Sequence, residues 1–363
     1  MKNNILIIGS TGKLGSKLLN YTHKEDISIN TITCFSNRQK LAHQSKKFNV
    51  NKSFILSIPS EVNKFVKLIS VSKYSIVYFL DYGSSSLFFL DIILDNNSGC
   101  TIAIANKEMI IAGGHLLRNK ILKSKNNLVP LDSEHFSLFR LKPNDSETKS
   151  LYITASGGPF YFNKKINLNK VSQNEVISHP KWKMGINNSI DSSNFINKML
   201  EIFELSIIFN INISKIDFLI SREAFIHSLI CFKDNTVNIN CFENNMLIPL
   251  IKPLTHILKS NDLKLKSNKF LNFNNLKLEL FNDKRFKIFK YFKKIKKFSH
   301  NQQISFMILN NYAHINYLNG KLPYSDIIDF IFSKIEPQKD MNFVTFHDIL
   351  KYIEDLKSKY ETF

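Results

Sequence analysis

Two groups of side chains in the middle of the chain have types and spacings that could do chemistry. Asp132-Ser133-Glu134-His135 follows the apolar run 128–131. In an extended segment, positions 132 and 134 point the same way. Two carboxylates on one side suit a hard divalent cation, which takes oxygen ligands. The second group runs from Asp191-Ser192 through Asn197-Lys198 to Glu201. A single helix over 191–210 would place Asn197, Lys198 and Glu201 on one side. That side joins an amide and an ammonium, both suited to phosphate, with a third carboxylate. Taken alone, the first group equally describes a solvated acidic turn, and the second a Ser-capped amphipathic helix.

Two further stretches lie between and beside them. Thr154-Ala155-Ser156-Gly157-Gly158-Pro159-Phe160 is a small-residue turn. It offers a hydroxyl and backbone N–H groups that can form an anion nest. His179-Pro180-Lys181-Trp182-Lys183-Met184-Gly185 holds the one tryptophan of the chain. Pro and Gly make it a loop, and a Trp in such a loop is placed to close over a ligand. Near the start, Gly9-Ser10-Thr11-Gly12-Lys13-Leu14-Gly15 follows the apolar stretch Ile5–Ile8. Glycines there let the backbone turn tightly and approach a diphosphate at a helix N-terminus. The spacing is GxxGxxG, so its place after a strand carries more weight than the pattern itself. Where an acidic residue would hold the ribose of NAD, this chain has Ser36-Asn37-Arg38-Gln39. Arg38 could pair with a 2′-phosphate, which favours NADPH.

The elements that must position these residues follow from periodicity. Apolar strands over Ile5–Ile8, 29–35, 75–80 and 101–105 alternate with a helix near 13–21 and later turns, the pattern of a doubly wound parallel sheet. The middle reads as α+β, with strands at 213–220 and 228–232. Phe286, Phe289, Phe292, Ile295 and Phe298 recur every third residue between lysines. Such a stripe can lie on a membrane but is expected here to pack on its own core. A last helix over 346–360 aligns Phe346, Ile349, Leu350, Ile353 and Leu356. The expected class is α/β: an N-terminal Rossmann-like domain over 1–131 and a central α+β catalytic domain over 132–255. A connector over 256–282 and a C-terminal helical domain over 283–363 complete it.

Composition narrows the class further. The chain has 363 residues, 44% of them hydrophobic, enough for packed cores. Its net charge of +19 comes from 49 basic and 30 acidic residues. The lysines are scattered in a Lys/Asn/Ile/Phe-rich background, so the charge reads as compositional and no nucleic-acid partner is expected. No apolar run is long enough to span a bilayer. Cys34, Cys100, Cys231 and Cys241 form no CxxC pair, which fits a reduced, cytoplasmic setting without structural zinc. A strand begins almost at once, so no leader peptide is expected.

The motifs occur in one order. GSTGKLG at 9–15, ANKE at 105–108, LDSEH at 131–135, TASGGPF at 154–160, HPKWKMG at 179–185 and DSSNFINKMLE at 191–201 together resemble the 1-deoxy-D-xylulose 5-phosphate reductoisomerase family. Weaker similarity continues through IHSLI at 226–230, DKRF at 283–286 and NGKLPYSDI at 319–327. The resemblance implies an NADPH- and Mg²⁺- or Mn²⁺-dependent rearrangement and reduction of 1-deoxy-D-xylulose 5-phosphate to 2-C-methyl-D-erythritol 4-phosphate, a step of non-mevalonate isoprenoid biosynthesis, by a homodimer. It implies that Thr11, Gly12, Lys13 and Leu14 hold the cofactor diphosphate and that Asn37, Arg38 and Gln39 surround its 2′-phosphate. Asn106, Glu108 and Gly185 would contact the cofactor as well. Asp132, Glu134 and Glu201 would bind the metal. Lys107, Ser133, Glu134, Ser156, His179, Trp182, Ser192, Asn197, Lys198 and Glu201 would bind substrate, with Lys107, Glu134 and Glu201 closest to the chemistry. The loop around Trp182 would be a flap.

The chain departs from the family pattern at several positions. Ile186 and Asn187 stand where basic residues are usual, Ser86 replaces a glycine, Ala224 a serine and Leu247 an arginine. The tail motif NAANE becomes Asn310-Asn311-Tyr312-Ala313-His314. The alternatives that remain open are a reductase of another phosphorylated substrate and a non-catalytic descendant that binds nucleotide or nucleic acid.

Overall fold

The computed structural model describes residues 4–178, 185–256, 276–337 and 340–361. They form two compact units. Of the described residues, the first comprises 4–139, 245–256 and 345–347, and the second 140–178, 185–244, 276–337, 340–344 and 348–361. These divisions fall at places other than the boundaries expected at 131, 255 and 282. The expected connector lies largely outside the described residues.

The first unit alternates strand and helix. Its strands are β1 (Ile5–Ile8), β2 (Thr31–Cys34), β3 (Lys52–Ile55), β4 (Ile76–Phe79), β5 (Thr101–Ile104) and β6 (Asn127–Pro130). Its helices are α1 (Lys13–Lys24), α2 (Arg38–Lys47), α3 (Pro59–Ile69), α4 (Ser86–Asn96), α5 (Lys107–Lys123) and the start of α6 (Ser133–Leu141). The strands pair in parallel in the order β3-β2-β1-β4-β5-β6. The inner strands β1, β2, β4 and β5 are buried at every residue, whereas the edge strands β3 and β6 begin exposed. Continuous apolar runs are what a parallel sheet covered on both faces requires. Strand order reverses between β1 and β4, and a doubly wound sheet binds ligands at the carboxyl ends of the strands flanking such a point. The short helix counted later as α10 (Leu247–Ile251) returns to this core, where the Tyr78 hydroxyl donates to the Leu250 carbonyl at 2.9 Å.

The second unit is built on a mixed sheet ordered β10-β9-β7-β8-β11. Its strands are β7 (Thr148–Ala155), β8 (Ile216–Ile220), β9 (Ile226–Phe232), β10 (Val237–Cys241) and β11 (Glu279–Leu280). Helices α7 (Gln173–Ile177), α8 (Ile186–Ser193), α9 (Ile196–Phe209), α11 (Ile288–Ile295), α12 (His300–Leu318), α13 (Ile327–Lys334) and most of α14 (Phe346–Glu361) complete it. The Phe/Lys stripe is core: Phe286, Ile295 and Phe298 are buried, and Phe292 meets Phe218 edge to face at 5.6 Å. Along α14, Phe346, Ile349, Ile353 and Leu356 are buried as their spacing predicts.

Three local expectations change. Residues 133–141 are helical, so the 132–135 motif is not an extended segment. The helix expected over 191–210 is two helices, α8 and α9, separated at Asn194-Phe195, where Phe195 takes a left-handed φ of 67°. Ring contacts with Phe281 at 4.6 Å and Phe286 at 4.8 Å hold Phe195 there. The strand expected from 213 starts at Ile216, after a 3₁₀ turn that Asn212 caps.

Candidate active site

In the first unit the glycine turn is closed by backbone contact. Gly9 has φ +87°, and a Cβ there would lie 2.5 Å from the Asp81 nitrogen, just past the end of β4. A Cβ on Gly15 would lie 2.5 Å from the Ser10 carbonyl oxygen, so α1 can sit against the turn only with glycine at this position. Gly12 is different, for its nearest neighbour would be the Gly9 oxygen at 3.4 Å. It is exposed, N-caps α1 and leaves that helix end open to a ligand. Gln44, buried on α2, accepts from the Ser10 hydroxyl at 2.8 Å and donates to the Ser10 carbonyl at 3.0 Å. Lys40 donates to the Thr11 carbonyl at 2.6 Å. Asn37 caps α2 through the Lys40 N–H, leaving Arg38 and Gln39 exposed on its first turn. Thr11 and Leu14 are half-buried, and Lys13 is exposed.

The ends of β4, β5 and β6 carry the remaining polar groups of this unit. Asn106 is buried and committed three ways: its amide donates to Asp81 at 3.2 Å and to the Gly83 carbonyl at 2.8 Å, while its oxygen caps α5 through the Met109 N–H. Glu108 is half-buried in the same helical turn. Lys107 reaches Asp132 at 3.0 Å. Asp132 also accepts from the Glu134 N–H at 3.1 Å and lies 3.3 Å from the buried His135 ring. Asp132 thus caps α6, and its oxygens come within 4.8 Å of those of Glu134. The two carboxylates converge by a helix cap and its first turn rather than by strand alternation. Ser133 donates to Glu134.

In the second unit, Asn197 and Lys198 both donate to Glu201, Lys198 at 2.6 Å. The i,i+3 and i,i+4 spacing therefore does what was expected, although the helix begins only at Ile196. Lys198 and Glu201 are buried. Ser192 is half-buried on α8, and a Cβ on Gly158 would lie 2.7 Å from its carbonyl oxygen, so the 154–160 turn and Ser192 are neighbours. Ser156 is half-buried at the start of that turn. Gly185 caps α8. His179 and Trp182 lie outside the described residues. Asp191 opens the second group of the sequence but has no expected role of its own there. It is buried, lies 2.9 Å from His314 Nε2 and accepts from Asn310 at 2.8 Å, which fixes the start of the Ser192 segment. Asp81 belongs to none of the sequence motifs. Its nearest signal was the Ser86 departure, whose hydroxyl donates to it.

A donor set made only of carboxylate oxygens fits a hard divalent cation. Lys107 on Asp132 and Lys198 on Glu201 show that these carboxylates face positive charge.

The family model for the 1-deoxy-D-xylulose 5-phosphate reductoisomerase C-terminal domain matches residues 128–209. A 1-deoxy-D-xylulose 5-phosphate reductoisomerase from Pelagibacter ubique is 31% identical over 385 residues, covering 96% of this chain and 97% of the relative. The chain belongs to the 1-deoxy-D-xylulose 5-phosphate reductoisomerase family. A second reductoisomerase, from Malacoplasma penetrans, is 34% identical over 284 residues, covering 76% of this chain and 72% of that one. Among solved structures, the reductoisomerase from Zymomonas mobilis in complex with NADPH aligns with a TM-score of 0.84 at 21% identity, covering 99% of this chain and 98% of that one. A reductoisomerase in complex with NADPH, fosmidomycin and magnesium aligns with a TM-score of 0.85 at 22% identity, covering 98% and 96%. At these identities the likeness is one of fold, and it fits the α/β class read from the sequence.

Proposed function

We propose that this chain converts 1-deoxy-D-xylulose 5-phosphate to 2-C-methyl-D-erythritol 4-phosphate with NADPH and Mg²⁺ or Mn²⁺. The observation that carries this reading is near-full-length similarity to a reductoisomerase, and the presence of Asp132, Glu134 and Glu201 in the sequence supports it. Bound NADPH would supply hydride, and the cation would supply Lewis acidity toward the substrate's carbonyl and hydroxyl oxygens. The protein's own residues do the rest. The open end of α1 and its glycine turn bind the diphosphate through Thr11, Gly12, Lys13 and Leu14. Arg38, with Asn37 and Gln39, takes the 2′-phosphate. Asn106, Glu108 and Gly185 complete the cofactor contacts.

Asp132, Glu134 and Glu201 are proposed to hold the cation. Lys107 orients Asp132 through the contact at 3.0 Å, and is placed to stabilise negative charge on a substrate oxygen. Ser156, Ser192, Asn197 and Lys198, with Ser133 and His179, orient the substrate and hold its phosphate, whose remote binding energy is available to the reacting end. A flap at Trp182 excludes water. A homodimer is proposed, supported by Val237 and Ile239, each 51% exposed on the edge strand β10. The free state of all four cysteines supports a cytoplasmic setting.

The test is NADPH oxidation by the purified protein with 1-deoxy-D-xylulose 5-phosphate, with either cation and then with a chelator. Oxidation that needs the cation is expected. A folded protein that binds NADPH and oxidises none would overturn the reading.

A further inference from the structure

Asp81 sits two residues past Phe79, the last residue of β4, on one side of the point where the strand order reverses. Its backbone is in van der Waals contact with the glycine turn, since only the missing Cβ of Gly9 leaves room for it. Its carboxylate accepts from the Ser86 hydroxyl at the start of α4 and from the Asn106 amide at the cap of α5. Asn106 in turn is anchored to Gly83 and Met109. The carboxylate is therefore fixed from two helices, at the carboxyl end of β4 beside the crevice in which a doubly wound sheet takes its dinucleotide. It keeps part of its surface open.

The charged groups on the elements packed around it have other partners or other places. Lys13 on α1 is exposed, Lys40 on α2 bonds the Thr11 carbonyl, and Asp91 on α4 pairs with Lys120 of α5. Lys107 pairs with Asp132, and Glu108 lies half-buried on the first turn of α5. Burial, opposed by the bonds from Ser86 and Asn106, pushes the Asp81 carboxyl up to about 6. An ionised carboxylate here is a like charge beside a diphosphate, whereas the protonated form is neutral and can donate a hydrogen bond.

We propose that Asp81 is a proton-linked cofactor-binding residue: the chain takes NADP(H) with Asp81 protonated, so that dinucleotide binding and proton uptake are coupled. This rests on the NADPH reading above. By linkage, affinity is highest below the Asp81 titration and falls as pH rises through it, by up to about tenfold per pH step of one.

The test is calorimetric titration of the full chain with NADP⁺, which survives mild acid, from about pH 5.5 to about pH 8. The dinucleotide's own 2′-phosphate titrates near the same pH, so the wild type is read against Asp81→Asn, which shares that contribution. The wild type is expected to weaken about tenfold more than Asp81→Asn across this range. Equal pH slopes, or an affinity that rises with pH through Asp81 (an ionised acceptor for a ribose hydroxyl), would overturn the inference. Should Asp81→Asn fail to fold, Ser86→Ala decides. It removes a bond to the ionised form, so the midpoint of the pH dependence is expected to move upward, and an unmoved midpoint overturns the coupling. A folded wild type that binds no NADP⁺ at any pH would instead overturn the cofactor reading itself.

Discussion

Glu201 carries two jobs at the scale of a single residue, and they can be separated. It is a proposed cation ligand, and it is the buried partner of Lys198 at 2.6 Å. Glu201→Gln removes the charge and keeps the shape. Metal-dependent turnover is expected to fall by orders of magnitude. The melting temperature is expected to drop as well, by the equivalent of about 3 kcal/mol, because a buried ammonium loses its counter-charge. NADP⁺ binding should survive, since the glycine turn belongs to the other unit. Turnover assays, thermal melts and cofactor titration on one preparation check all three, and unchanged turnover would remove Glu201 from the metal set. Residue types were legible in the sequence where spacing alone places them, as with Asn197, Lys198 and Glu201 on one helical face. They were not legible where partners come from distant segments. Asp81 meets Asn106 from 25 positions away, and Asp191 meets His314 from α12. Ser86 and His314 showed only as departures from a pattern, with no sign of what they touch.

At the scale of elements, the glycine turn separates folding from binding. Gly12→Ala puts a methyl 3.4 Å from the Gly9 oxygen, an ordinary contact, on the exposed side of the α1 N-terminus. Its melting temperature should match the wild type, while NADP⁺ affinity falls at least tenfold because the diphosphate loses its close approach. Gly15→Ala forces a methyl to 2.5 Å from the Ser10 carbonyl and must displace backbone. It should lose about 1–3 kcal/mol of stability as well as affinity. Melts and titrations of the pair check this, and a Gly12→Ala that binds normally would count against the turn as the diphosphate site. The apolar strands of the parallel sheet were legible because burial on both faces leaves continuous runs. The break between α8 and α9 was not, for the helical periodicity runs on through Phe195. Only packing against Phe281 and Phe286 accounts for its left-handed backbone. The 132–135 motif was misread in shape for a related reason: a capping aspartate and an i,i+2 strand pair look alike until α6 is seen to start at Ser133.

Across the whole molecule, two carboxylates give stability opposite dependences on pH, one in each unit. Asp283 is buried. Burial raises its carboxyl, but bonds from Arg285 and from Lys164 at 2.8 Å outweigh this and hold it well below the usual range. A group depressed in the fold stabilises it above the ordinary carboxylate value and loses that contribution as pH falls toward the folded value. Asp81 has the reverse sign. Its carboxyl is raised from 3.8 to about 6, so the folded state holds the extra proton. Stability therefore declines as pH rises through that window and stays lower above it, by up to about 3 kcal/mol. Asp81→Asn should then melt higher than the wild type at pH 7 and converge with it near pH 4. Asp283→Asn should melt lower at pH 7, with the gap closing in acid. Scanning calorimetry across this range checks both signs and reads one thing more. If each substitution moves a separate transition, the two units unfold independently. If both move one transition, unfolding is cooperative across the chain, and the cost of an ionised Asp81 is borne by the whole protein. A lower melting temperature for Asp81→Asn at pH 7, with no convergence in acid, would count against a carboxyl raised in the fold.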